Sequence, residues 1–178
     1  MTLPNTYADR NCPLARTLEV VGERWTLLIV RDAFYGVRRF GDFATQLGIP
    51  RAVLTSRLKS LVQEGVLTRD DGSAGGVEYR LTAKGIALWP VVHSLMNWGE
   101  AFYSPDGPKR VLRHDQDGGL IDPEGRCQEC GSVVPVPEIR LETGPGFQPS
   151  DSVQDPVSTA INTPRRLLEP ISAPRASR

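Results

Sequence analysis

The sequence has few of the residues on which enzymes and secreted proteins depend. Its 178 residues include only three cysteines and two histidines, His93 and His114. A small, odd number of cysteines argues against a disulfide framework and favours a reducing, cytoplasmic location. There is no serine–histidine–acid arrangement, no phosphate-binding loop and no glycine-bearing pocket with paired carboxylates. The sequence therefore predicts a cytoplasmic protein that is not an enzyme.

Long apolar runs and net charge are also missing. No run approaches the roughly 18 apolar residues of a membrane span, and the start, "MTLPNTYADRNCPLA", lacks the basic flank and apolar core of a signal peptide. We therefore expect no membrane partner. The formal net charge is zero, but residues 38–69 hold six cations against two anions, a local surplus of four that a polyanion would meet. The cations are Arg38, Arg39, Arg51, Arg57, Lys59 and Arg69.

Three short helices are predicted before residue 48. Leu14, Leu18 and Val21 recur at helical spacing, and Gly22 follows them. Residues 23–36 form the second predicted helix and residues 38–48 the third, each with a glycine at its end.

The stretch "LGIPRAVLTSRLKSL", residues 47–61, predicts a fourth helix with two different faces. Its leucines, at positions 54, 58 and 61, form a stripe for burial. At 100° per residue, Ala52, Ser56 and Lys59 lie opposite that stripe, with Thr55 on its flank. A solvated face would normally have more Glu and Lys. Short polar side chains with one cation favour a face that closely approaches another surface.

The following residues predict a hairpin and a long helix. Residues 66–69 and 77–81 alternate as strands around a polar, glycine-rich turn. Thr82 is a suitable cap for one helix from Ala83 to Tyr103, which Pro90 would bend. We expect an N-terminal arm at 1–10, the main domain at 11–103, an extension at 104–146 and a disordered tail at 147–178.

This order of elements predicts a winged helix-turn-helix fold, mainly α with a small β wing. In that fold the second helix of the pair enters the major groove of double-stranded DNA, and the wing follows the backbone. Arg57, at the edge of the leucine stripe, is at least as consistent with an internal salt bridge. A winged-helix module that binds protein instead of DNA is the alternative function. The candidate DNA-binding residues are Arg39, Arg51, Ala52, Thr55, Ser56, Lys59, Arg69, Ser73 and Arg80.

Several motifs in order resemble the HxlR-type regulators, relatives of the MarR group. They are the Cys-Pro opening, the Gly-x-x-Trp that ends at Trp25, the Arg-Phe pair at Arg39, the Leu-x-x-Arg-Leu-x-x-Leu helix and "YRLTAKG". The resemblance covers about residues 11–103. It implies a homodimer that binds a roughly palindromic operator and represses or activates a neighbouring gene.

The last predicted helix agrees with a dimer, because its apolar residues occupy a wider arc than one small domain can cover. The alternative is that residues 111–146 fold back over this helix within one chain. The tryptophans at 25, 89 and 98 are expected in the core, so no specific small-molecule effector is predicted. The apolar residues are Leu88, Trp89, Val92, Leu95, Met96, Trp98 and Phe102.

The cysteines suggest two further sites. Cys12 opens the first helix, where thiolate is favoured. Its resemblance to sensor cysteines of some family members makes it a redox candidate. A buried, inert thiol is the alternative.

Cys127 and Cys130, in "CQECG", form half of a zinc knuckle. His114, with Asp115 or Asp117, could complete it. Zinc shared across a dimer, a reversible disulfide and a relic of a lost site remain alternatives.

Overall fold

The computed structural model describes residues 11–72, 76–148, 150 and 155–171. Its first three helices are α1 (Pro13–Val21), α2 (Thr26–Phe34) and α3 (Phe40–Leu47). The three predicted helices are confirmed, although α2 begins after a turn at residues 23–25. Helix α2 is the centre of the core, since Ile29, Val30 and Phe34 are fully buried.

A tight turn joins α3 to the predicted fourth helix, α4 (Arg51–Gln63). Gly48 ends α3 in the left-handed conformation at φ +58°, which only glycine adopts without strain, and its N–H donates to the carbonyl of Ala44. Ile49 is buried in the turn. The three leucines of the predicted stripe are buried, which stabilises the helix pair by about 1.5–3 kcal/mol each. Their burial directs the opposite face of α4 to solvent.

The wing is an antiparallel hairpin of β1 (Leu67–Asp70) and β2 (Glu78–Leu81). Its register pairs Leu67 with Leu81 and Asp70 with Glu78. The predicted hairpin is confirmed. Residues 73–75 at its tip, including the candidate Ser73, lie outside the described residues.

The single long helix predicted from Ala83 is wrong, because the chain forms two helices there. They are α5 (Ala83–Ile86) and α6 (Trp89–Tyr103). Pro90 has no N–H and its ring crowds the preceding turn, so one helix ends before it and the next begins with it in the first turn. The predicted cap is confirmed: Thr82 Oγ1 accepts the N–H of Gly85 at 3.1 Å. Within the described parts of the chain, no helix is long and apolar enough to cross a membrane.

A second sheet follows α6, with its strands in the order β3 (Arg110–His114), β4 (Ile139–Thr143) and β5 (Arg165–Arg166), all antiparallel. Helix α7 (Pro156–Asn162) precedes β5 and packs on α3. We call residues 110–171 the C-terminal module. Its buried apolar side chains join the main core and include Leu112, Ile139, Leu141, Val157, Ile161 and Leu167.

The predicted disorder of residues 147–178 is wrong for residues 155–171. Asp155 caps α7 by accepting the N–H groups of Val157 at 2.8 Å and Ser158 at 3.1 Å, and Val157 and Ile161 are buried. Pro156 occupies the first turn of α7, and the Ser158 hydroxyl donates to the capping carboxylate of Asp155. Residues 149, 151–154 and 172–178 lie outside the described chain.

Candidate nucleic-acid interface and cysteine cluster

The outer face of α4 is exposed to solvent. Its exposed side chains, which we call the recognition face, are Arg51, Ala52, Thr55, Ser56 and Lys59. No acidic residue lies between positions 50 and 63. Within the described residues, the Lys59 ammonium and the Ser56 hydroxyl have no protein partner, so both remain available to a ligand. Thr55 donates to the carbonyl of Arg51 at 2.9 Å.

Packing orients two arginines of α4 differently. The Arg51 guanidinium lies 4.9 Å from the ring centroid of Phe40, in α3, a cation–π contact that holds it at the start of the helix. Arg57 instead forms an ion pair with Glu23 at 3.4 Å. Of the two roles that the sequence allowed for Arg57, a DNA contact or an internal salt bridge, the free protein shows the salt bridge.

Glu78, at the end of the paired wing strands nearer the turn, contacts three arginines. Its carboxylate lies 4.0 Å from Arg38, 3.6 Å from Arg39 and 2.9 Å from Arg80. Two of these arginines, Arg39 and Arg80, are candidate DNA contacts whose charge is partly neutralised here. From the sequence Arg38 counts only as local charge and Glu78 has no assigned role, because neither belongs to a motif and their contact forms only when β2 lies against the residues before α3.

The other wing candidate, Arg69, is exposed and forms an ion pair with Asp71 at 2.9 Å. The residues of the wing thus present cations that are each matched with an acid. Among the described residues of α4 and the wing, the recognition face by contrast combines the unpaired cation Lys59 with an absence of acids.

Exposed apolar side chains lie on α1 and α6, and we call them together the apolar face. Leu95, Trp98 and Phe102 of α6 are 50%, 56% and 69% exposed. Trp89 and Val92, by contrast, belong to the core. The C-terminal module covers another side of α6, as Leu112 and Ile121 line a cavity with His93 and Met96. The fold-back alternative therefore accounts for that side only. The apolar face consists of Leu14, Leu18, Val91, Leu95, Trp98 and Phe102.

Four potential metal ligands meet in the long connection after β3. We call them the cysteine cluster: His114, Asp117, Cys127 and Cys130, whose ligand atoms all lie within 4.8 Å of one another. Of the two aspartates considered as ligands, Asp117 lies in the cluster and Asp115 does not. Asp115 instead forms ion pairs with Arg140 at 3.5 Å and Arg166 at 3.6 Å.

Backbone N–H groups set the electrostatics of the cysteine cluster. The Gly119 N–H lowers the pKa of the Asp117 carboxyl to about 2. The Ser132 N–H lowers the pKa of the Cys130 thiol, whereas desolvation raises that of Cys127. For His114, desolvation is outweighed by hydrogen bonds with Cys130 and Asp117, which raise its pKa. These effects favour the anionic, metal-binding form of Asp117 and Cys130, but they disfavour the thiolate of Cys127 and the neutral imidazole of His114.

The third cysteine, Cys12, lies apart from these residues in the chain. It is exposed at the N-cap of α1, so the alternative of a buried, inert thiol does not apply to it in one chain. Its oxidation remains a prediction.

A helix pair, an exposed second helix and a two-stranded wing define a winged helix-turn-helix transcription regulator. Comparison with known proteins gives the family. Residues 20–107 match the HxlR-like helix-turn-helix family model. The chain is 46% identical over 138 residues to an uncharacterized HTH-type transcriptional regulator of Mycobacterium tuberculosis, a match that covers 76% of this chain and 87% of that protein.

Two further matches agree. YybR, an uncharacterized HTH-type transcriptional regulator of Bacillus subtilis, is 32% identical over 121 residues, which covers 66% of this chain and 92% of YybR. The solved structure of PA1607, described as a candidate transcription factor, is 35% identical with a TM-score of 0.55 and covers 83% of this chain and 96% of that one. The chain belongs to the HxlR-like helix-turn-helix family.

Proposed function

We propose that the protein binds double-stranded DNA at specific sequences and that the recognition face enters the major groove. One observation supports this above the others. The most exposed side of α4 has short side chains, the unpaired cation Lys59 and no acid. Such a face can approach base edges closely without repelling phosphates.

The positions along α4 suggest separate roles. Residues near the start of a recognition helix contact base edges, so Ala52 and Ser56 read sequence, with Ala52 against a thymine methyl and Ser56 as a hydrogen-bonding group. Arg51 and Thr55 flank them. Lys59 lies eight residues beyond Arg51, about 12 Å along the axis, and contacts a phosphate at the groove edge.

The remaining candidates, Arg39, Arg69, Ser73 and Arg80, are proposed as contacts of the wing and turn with the DNA backbone. In the free protein, each of the three arginines forms an ion pair with an acidic side chain. Each therefore exchanges an internal ion pair for a phosphate, which makes its net contribution smaller than that of Lys59.

We propose a homodimer in which the apolar face is the subunit interface. A surface this apolar is unusual on a monomer, and a two-fold axis through it would place two recognition helices about 34 Å apart, one turn of DNA. A palindromic operator follows from that symmetry.

Zinc is the cofactor that we propose for the cysteine cluster, because two thiolates and an imidazole are ligands that zinc prefers. For Cys12 we propose reversible oxidation, which a helix start favours.

A gel shift with DNA from upstream of the protein's own gene tests the DNA proposal. The reduced protein should shift this DNA in excess non-specific competitor, and the Lys59→Ala and Ser56→Ala variants should shift it less. Binding that disappears with competitor, together with capture of a protein partner by the recognition face, would favour the protein-interaction alternative. Repeating the shift after mild oxidation, with Cys12→Ser as control, tests the redox proposal.

A further inference from the structure

We infer that the cysteine cluster is a closed structural zinc site with Asp117 as its fourth ligand, and that this zinc holds the C-terminal module onto the helix-turn-helix. The inference rests on the proposed zinc and adds the ligand set and the consequence of binding.

The distances suit one tetrahedral ion. Bonds of about 2.0–2.3 Å to oxygen, nitrogen and sulfur place neighbouring ligand atoms about 3.3–3.8 Å apart. His114 Nδ1 lies 3.0 Å from Asp117 Oδ2 and 3.6 Å from Cys130 Sγ. Cys127 Sγ lies 3.5 Å from the same Asp117 oxygen, Oδ2. These three pairs of ligand atoms are thus within a few tenths of an ångström of tetrahedral spacing, and all four ligand atoms lie within 4.8 Å of one another.

The surroundings of these ligands are also those of a metal site. His114 Nε2 lies 3.6 Å from the carboxylate of Glu138, which can orient the ring while Nδ1 binds metal. The Gly119 N–H donates to Asp117 at 2.9 Å. Backbone N–H groups of Glu129 and Cys130 point to the Cys127 sulfur, and that of Ser132 points to Cys130.

Two glycines make room for this arrangement. A Cβ on Gly119 would overlap the Cys127 sulfur. Gly131 takes φ +71° in the turn after Cys130, and its N–H donates to the carbonyl of Cys127 at 2.8 Å. With four protein ligands and with His114 and Cys127 buried, no position is left for a substrate, so the site is structural.

Hydrogen bonds connect the site to the helix-turn-helix through residues 165–171, which we call the strap. His114 is paired with Ile139 at the end of β3, and the carbonyl of Ile139 accepts the Leu167 N–H at 2.8 Å. The strap then crosses to the end of α2, where Leu168 N–H donates to the carbonyl of Phe34 at 2.7 Å.

The strap also holds the turn that leads into α3. The Ile171 N–H donates to the carbonyl of Gly36 at 3.1 Å. The Arg38 guanidinium donates to the carbonyl of Leu168 at 2.9 Å. Leu168 adopts φ +66°, a conformation that a leucine keeps only where its surroundings impose it. A loosened cysteine cluster frees β4 at Ile139 and therefore the strap.

Zinc content and hydrogen exchange test this inference on the full-length protein purified without chelator. We expect one zinc per chain, and about 10-fold or more faster exchange of the strap amides Leu167, Leu168 and Ile171 after the zinc is removed, with unchanged exchange in α4. Cys127→Ser should abolish stoichiometric zinc. Asp117→Asn should weaken zinc affinity by about 10-fold or more.

Cys12→Ser is the matched control, since it removes a thiol outside the cluster and should keep one zinc. No zinc in the wild type, or a Cys127–Cys130 disulfide in its place, would overturn the zinc proposal itself. Zinc that is bound by Cys127 but whose removal leaves strap exchange unchanged would overturn only the link to the helix-turn-helix. Full zinc affinity in Asp117→Asn would overturn the fourth ligand.

Discussion

Replacing Lys59 by glutamine should reduce the salt dependence of DNA binding without changing which sequence is bound. The ammonium of Lys59 has no partner among the described residues, so its full charge is available to a phosphate. Each lost phosphate contact lowers the slope of log K against log salt by about 0.9. A dimer contains two copies of Lys59, so Lys59→Gln should lower the slope by about 1.8.

Fluorescence anisotropy of a labelled operator across a salt series measures this slope directly. Arg16→Gln is the control, because it removes the same charge from an exposed position on α1. Ser56→Ala should behave differently again: it should change the preference between operators and leave the slope unchanged. An unaltered slope in Lys59→Gln, or an equal loss in Arg16→Gln, would refute the placement of the recognition face.

Two further predictions concern the dimer and the packing of the wing. Trp98→Glu should give a monomer in sedimentation velocity, because it places a charge in the apolar face. Val133→Glu, which changes a 61% exposed apolar residue of the C-terminal module, should stay dimeric. A dimeric Trp98→Glu would contradict the proposed interface. Gly85→Ala should lower the free energy of unfolding by about 1–3 kcal/mol, because the new Cβ would overlap the carbonyl of Val66. Gly41→Ala, in α3, should raise the free energy of unfolding by about 0.5–1 kcal/mol, because no atom lies near the added Cβ. Equal changes in the two variants, measured by urea denaturation, would argue against this packing.

The helix-turn-helix was predictable because its determinants are local. The leucines at 54, 58 and 61 show a helical period, and Gly48 and Pro50 fix the turn before them within a few residues. Burial of that stripe then determines which side of α4 faces solvent. The composition of the recognition face could therefore be stated before its geometry was known.

The C-terminal module was less predictable because its determinants are distant in sequence. The choice between Asp115 and Asp117 depends on Arg140 and Arg166, which approach only when β3, β4 and β5 pair. Residues 155–171 are polar by composition and become ordered by packing a few apolar side chains on α3. The break before α6 was visible as Pro90, but sequence alone did not distinguish a bend from two helices.

The central claim is that this chain reads a DNA sequence through α4, and selection from a random-sequence DNA library tests it most directly. The reduced, full-length protein should enrich a two-fold symmetric motif whose half-sites lie about 10 base pairs apart, and Ser56→Ala should alter the enriched bases. No enriched motif, or an identical motif with Ser56→Ala, would contradict the claim.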